Sequence, residues 1–281
     1  MSRAASAESI PVHRASRYDE DTYFIETCDA LAALDIDRDA FAHDHGVLLL
    51  KPDAAVTGAM GAAIAWLLEH RYRIVAACAV QLTPLHIRAL WYFNWHHATP
   101  ERRRLADRLA SLSPSVVLVV SHPDREQPVS VRLTADKGPA DPAQRKPDHL
   151  RHALAAGTYL LNKVHTPDDP DDVLRELSIY FPESQLGAVI SASAGGVDAS
   201  ADAVRIVEGI ESSLECKSTD LAAAQDAVWT DLGGFVTGAR PRSGAEWLAA
   251  LADAERRDIS IDPWIHIVIE SAYLPMHRGR R

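Results

Sequence analysis

A chain of 281 residues with 47% apolar and 24% charged side chains is long enough for one large domain or two small ones, and this make-up excludes wholesale disorder. Its 39 acidic against 29 basic side chains leave a net charge of -10, which argues against nucleic acid as a partner and confines any phosphate site to a local basic pocket. Three widely spaced cysteines, Cys28, Cys78 and Cys216, form no CxxC and suit a reducing cytoplasm better than a disulfide framework. No apolar run is long enough to span a bilayer and the opening residues lack a signal-peptide core, so a soluble, unexported protein without membrane partners is expected.

Residues 1 to about 20 read as a loose polar tail. Asp21 to Leu34 follows as a short helix, with Phe24, Ile25, Cys28 and Leu31 at helical spacing. Gly46 to Leu50 is a continuous apolar run, too short for a helix and ended by Lys51-Pro52-Asp53, which predicts a buried strand. A helix over Gly58 to His70 and a strand over Tyr72 to Val80 complete a β-α-β unit. Two Thr-Pro openings predict helices over Thr83 to Trp91 and Pro100 to Leu112, the second with a solvated basic face at Arg102 to Arg104. Ser115 to Val120 is the clearest strand in the chain. The polar stretch from Ser121 to His149 reads as a long functional loop, Thr158 to Val164 as a strand, and Asp171 to Phe181 as a helix with an acidic first turn. After a boundary near 183 to 198 come helices over Asp202 to Leu214, Asp220 to Trp229, Gly244 to Arg256 and Pro263 to Tyr273, with Gly233-Gly234 and Arg240-Pro241 as breakers.

Lys51, Arg132, Arg151, Asn162 and His165 stand at the edges of predicted elements, and in open α/β architectures ligands sit at strand ends. Lysine and arginines can neutralise a polyphosphate, an amide can bond a sugar hydroxyl, and an imidazole can attack a phosphoryl group. His96-His97 and His43-x-His45 offer no third ligand of matching spacing, so they are read as surface histidines and no metal-ligand set is assigned. Trp91-Tyr-Phe-Asn-Trp95 reads as core or interface, and Trp229, Trp247 and Trp264 as anchors of a helical core.

The order of these motifs is similar to that of nucleoside diphosphate kinases. Leu48-Leu-Leu-Lys51-Pro-Asp53, followed by Gly58 and Gly61, resembles the family's opening. Asn162-Lys-Val-His165, running without a gap to Glu176 and Ile179-Tyr-Phe181, resembles its Asn-x-x-His motif and the helix behind it. Pro139-Ala140-Asp141, Lys146-Pro147 and Arg151 resemble its Pro-Ala-Asp segment and phosphate-binding arginine. The resemblance implies an α+β, ferredoxin-like βαββαβ sandwich over residues 45–183, preceded by a tail and short helix over 1–44 and followed by an α-helical extension over 184–281. It further implies a ping-pong phosphotransferase in which His165 accepts a phosphoryl group and Glu176 orients it. Lys51, Trp91, Tyr92, Arg132, Arg151 and Asn162 would bind the nucleotide, with Mg²⁺ as cofactor and a homo-oligomer as assembly.

The chain departs from the family pattern in several places. Thr166-Pro167 stands where the family has Gly-Ser after the histidine, Lys137 falls near a phosphate-binding threonine, and Arg102 falls near the base-stacking aromatic. These changes and the extension point to a phosphotransferase with a nucleoside diphosphate or a specialised small-molecule acceptor. The alternative is a catalytically weakened nucleotide-binding or assembly module.

Overall fold

The computed structural model describes residues 18–232 and 239–278, so the Gly233-Gly234 breaker and nearly all of the expected tail lie outside the described residues. Helices α1 (Thr22–Ala33) and α2 (Arg38–Asp44) lead into strand β1 (His45–Leu50), followed by α3 (Pro52–Val56), α4 (Met60–Glu69), β2 (Arg73–Val80), α5 (Pro84–Leu90) and α6 (Pro100–Ala110). Then come β3 (Ser115–Ser121), α7 (Val129–Lys137), α8 (Leu150–Ala153), β4 (Val164–His165) and α9 (Pro170–Tyr180). Five further helices follow among the described residues: α10 (Glu183–Ala194), α11 (Ser200–Ser212), α12 (Leu221–Leu232), α13 (Gly244–Arg256) and α14 (Pro263–Tyr273).

The four strands form an antiparallel sheet in the order β2-β3-β1-β4, the ferredoxin-like arrangement that the family resemblance implies. β1 is apolar at every core position because the sheet is covered on both faces. Leu48 and Leu50 point to a cluster with Ile64, Leu67, Val129 and Leu133, whereas Val47 and Leu49 point to another with Leu31, Leu105, Leu174 and Leu177. The first face carries α4 and α7, as a βαββαβ sandwich requires. The C-terminal helices add to both faces: Ala203, Val207 and Ile210 of α11 join the first cluster, and Val228, Trp247, Leu251, Trp264 and Ile267 join the second.

The polar stretch after β3, expected to be a long loop, contains a helix. α7 has a narrow buried stripe, Val129, Ser130 and Leu133, on a mostly polar body, so its composition hides it. It lies close over β1 because Gly46 faces it: a Cβ there would meet Val129 Cγ1 at 3.1 Å. The expected strand over Thr158 to Val164 shrinks to Val164–His165. Backbone groups upstream turn to other partners: Gly157 N donates to Leu161 O at 3.0 Å and the Lys51 ammonium takes Leu160 O at 2.8 Å. The Gly- and Ser-containing stretch near 184 to 198 is also helical, since Leu186, Val189 and Ile190 of α10 recur at core-facing spacing.

Candidate active site

The site grows from the end of β1. Lys51 caps α3 with Pro52 in the first turn, and its backbone N–H donates to Lys163 O at 2.9 Å. The wholly buried Asp53 accepts from Lys163 N at 2.7 Å and lies 3.4 Å from the Lys51 ammonium. Lys163 itself has a φ of 66°, and this left-handed turn delivers the chain into β4, where His165 pairs with Leu49. The two motifs, more than a hundred residues apart in sequence, are thus tied through one buried carboxylate.

His165 Nε2 lies 2.8 Å from Glu176 Oε1, and Glu176 Oε2 accepts the Tyr180 hydroxyl at 2.9 Å. Glu176 and Tyr180 sit one turn apart on α9, so one helix face holds both bonds. A carboxylate acceptor at Nε2 selects the Nε2–H tautomer and leaves Nδ1 with a free lone pair. Trp91 meets the imidazole edge-on with ring centroids 5.0 Å apart.

Two adjoining lobes of one cleft meet at His165. The inner lobe is lined by Lys51, Arg151 and Asn162, the outer by Lys137, Thr166, Asp168, Asp172 and Glu176, and both by Trp91, Trp95, Arg102, Tyr159 and His165. The Lys51 ammonium donates to Asn162 Oδ1 at 2.8 Å, and the Asn162 amide donates to Tyr159 O at 2.9 Å. Arg151 is pinned by Gly138 O at 2.8 Å and Val164 O at 2.7 Å, with its buried Nε unpartnered. Gly138 is needed there: its φ is 79° and a Cβ would lie 2.5 Å from the His149 ring. Arg145 gathers the surrounding polar loop through the carbonyls of Pro139, Ala140 and Ala156.

Burial acts on each cation. It pushes Lys51 down to about 8 against the pull of Asp53, and Arg151 down to about 10. Lys137 also falls to about 8, from burial and then from the nearby Arg151 charge. On the acidic side, burial and Asp169 raise Asp172 to about 7 although the Tyr18 hydroxyl donates to it at 2.7 Å. Cations that cannot shed their desolvation cost inside the protein gain most from an anionic ligand.

Of the residues singled out in the sequence, the cleft brings together Lys51, Trp91, Arg151, Asn162, His165 and Glu176. Arg132 and Tyr92 are placed elsewhere. The Arg132 guanidinium is drawn into an ion pair with Asp124, and Tyr92 is 68% exposed with its ring against Phe93. Two residues carry more than the sequence reading gives them. Arg102 faces the cleft, and Lys137 lies buried with its ammonium 2.5 Å from Thr166 Oγ1. The "surface" histidines divide similarly: His45 is buried between Phe41 O at 2.9 Å and Ser193 O at 3.2 Å, while His97 lines the outer lobe.

The family model for nucleoside diphosphate kinase matches residues 44–186, which spans β1 through the site to the start of α10. The nucleoside diphosphate kinase of Moorella thermoacetica is 30% identical over 139 residues, covering 50% of this chain and 94% of that protein. The chain belongs to the nucleoside diphosphate kinase family. The nucleoside diphosphate kinase of Thermococcus kodakarensis is likewise 30% identical over 142 residues, covering 50% of this chain and 78% of its own length. A crystal structure of the Aquifex aeolicus nucleoside diphosphate kinase superposes with a TM-score of 0.42 at 22% identity, covering 49% of this chain and 94% of that one. The family match ends where the last four helices have yet to begin, so the kinase-family portion is about half of the molecule.

Proposed function

We propose that the protein is a nucleotide-dependent phosphotransferase that works through a phosphohistidine at His165. The observation that carries this reading is the Glu176-held imidazole, with Nδ1 left free, in the wall of a cleft that also holds Lys51, Arg151 and Asn162. The Nδ1 lone pair attacks the γ-phosphorus of a nucleoside triphosphate. The bond from that phosphorus to the bridging oxygen breaks, and its electron pair leaves with the diphosphate. The Nε2 proton stays on the imidazole, and Glu176 stabilises the positive charge that the ring gains. Lys51 and Arg151 neutralise the phosphate oxygens, and an anionic acceptor oxygen then reverses the step.

Mg²⁺ fits this arrangement as a companion of the phosphates. A hard cation takes oxygen ligands, and the carboxylates of Asp168 and Asp172 stand in the same outer lobe as His165. The ion would supply charge neutralisation of the transferred group. A homo-oligomer in the cytoplasm, with a nucleotide and a small-molecule acceptor as partners, belongs to the same reading.

One observation favours the alternative of a weakened binding module. The Thr166 hydroxyl beside the histidine is turned to Lys137 and to Thr134 Oγ1 at 2.9 Å, and Pro167 has no hydroxyl to offer. Exchange of the γ-phosphate between GTP and ADP separates the two readings. Turnover that is abolished in His165→Gln supports the enzyme, whereas nucleotide binding without exchange supports the module.

A further inference from the structure

The Arg102 guanidinium has no role in the scheme above, yet it lies in the wall of both lobes. It leaves the first turn of α6, and its guanidinium carbon lies over two aromatic rings, 4.9 Å from the Tyr159 centroid and 5.6 Å from that of Trp95. Among the described residues it makes no ion pair with a carboxylate; burial lowers its proton affinity, and Tyr159 works the other way. Its Nε is buried and unpartnered, and one Nη reaches Met276 O at 3.4 Å.

The chain's own C-terminal segment holds this arrangement from outside. Thr99 Oγ1 donates to Pro275 O at 2.7 Å, Arg278 N donates to His97 O at 3.0 Å, and Arg278 Nε donates to Ala98 O at 3.2 Å. The His277 ring meets Tyr159 edge-on with centroids 4.6 Å apart. Trp95 is flanked in turn by Trp91, at 6.0 Å. The aromatic rings at this end of the cleft are therefore engaged by groups of the protein. A planar cation over aromatic rings takes the space that a planar heterocycle takes when it stacks.

We propose that Arg102 fills the aromatic end of the cleft, so that the site recognises a nucleotide by its polyphosphate chain and leaves the nucleobase outside. This rests on the reading of the cleft as a phosphate site. The guanidinium adds a third cation to Lys51 and Arg151, in place of Arg132, which is paired with Asp124. It lies near enough to Lys51 for the two charges to repel, and a polyphosphate relieves that repulsion.

Calorimetric titration of the full chain with tripolyphosphate, ATP, GTP and CTP, each with Mg²⁺, tests this. The wild type is expected to bind all four within about threefold. Arg102→Ala empties that end of the cleft, so tripolyphosphate binding weakens while the affinity ratio of ATP to tripolyphosphate rises at least tenfold. Deletion of residues 275–281, which frees Arg102 from its outer support, is expected to move the ratio the same way and serves if Arg102→Ala does not fold. A wild type that prefers one triphosphate over tripolyphosphate by tenfold or more overturns the proposal, as does a ratio unchanged in both variants. If the wild type binds none of the four, the phosphate-site reading itself falls, and this inference with it.

Discussion

Replacing Glu176 with Gln isolates what the carboxylate does for the histidine. Glu176 is 3% exposed and receives two donors, His165 Nε2–H at 2.8 Å and the Tyr180 hydroxyl at 2.9 Å. An amide can accept from only one of them through its oxygen and must present its NH₂ to the other. The charge-assisted bond that stabilises the imidazolium-like product is lost, and bonds to charged groups are worth about 1.5–3 kcal/mol. The rate of phosphoryl transfer to His165 should then fall roughly 10- to 150-fold. Affinity for ATP should stay within about twofold, because Lys51 and Arg151 are untouched. Rapid-quench measurement of labelled enzyme, alongside calorimetry, reads the two quantities separately. A phosphorylation rate within twofold of wild type would refute Glu176 as the positioning residue, and equal losses in rate and affinity would make its role structural.

Further outcomes follow from charge and packing. Burial lowers Lys51 and Lys137 from 10.5 to about 8, so between about 8 and 10.5 the folded protein holds fewer protons than the unfolded chain. Stability contributed by these two groups therefore rises with pH across that window, while polyphosphate affinity falls; binding near pH 8.5 should take up protons, seen as a buffer-dependent enthalpy. Arg151→Gln should weaken polyphosphate binding at least tenfold and Arg132→Gln less than threefold by calorimetry, since only the first side chain lines the cleft. Leu48→Ala, at a fully buried position of β1, should cost about 2–5 kcal/mol in denaturant unfolding. Truncation after Phe181 removes Val207 and Ile210 from the core beneath the sheet and Glu270 from Arg104 and Arg108, so the shortened protein should be insoluble or melt well below the full chain.

The parts of the fold that the sequence announces are those with local, strong patterns. β1 and β3 are unbroken apolar runs, and the Thr-Pro starts of α5 and α6 mark helices directly. Short polar elements stay hidden because their reason for forming is tertiary. α7 exists where two apolar side chains meet Gly46, and β4 stops at two residues because side chains claim the preceding carbonyls. In the site, Lys51, Asn162, His165 and Glu176 are legible because their spacing survives in motifs. Arg102 is not legible: within Arg102-Arg-Arg104 it looks like a solvated face, and nothing local says that Arg104 turns outward to Glu270 while Arg102 turns in to the cleft. Arg132 misleads for the converse reason, since only the fold reveals that Asp124 captures it.

The proposed phosphotransfer turns on one atom, Nδ1 of His165. Incubation of the protein with Mg²⁺ and ATP, followed by ³¹P nuclear magnetic resonance of the phosphoprotein, distinguishes phosphate on Nδ1 from phosphate on Nε2. Because Glu176 holds Nε2, a single Nδ1-phosphohistidine resonance is expected, absent from His165→Gln. A resonance from the Nε2 isomer, or no phosphohistidine at all, would contradict it.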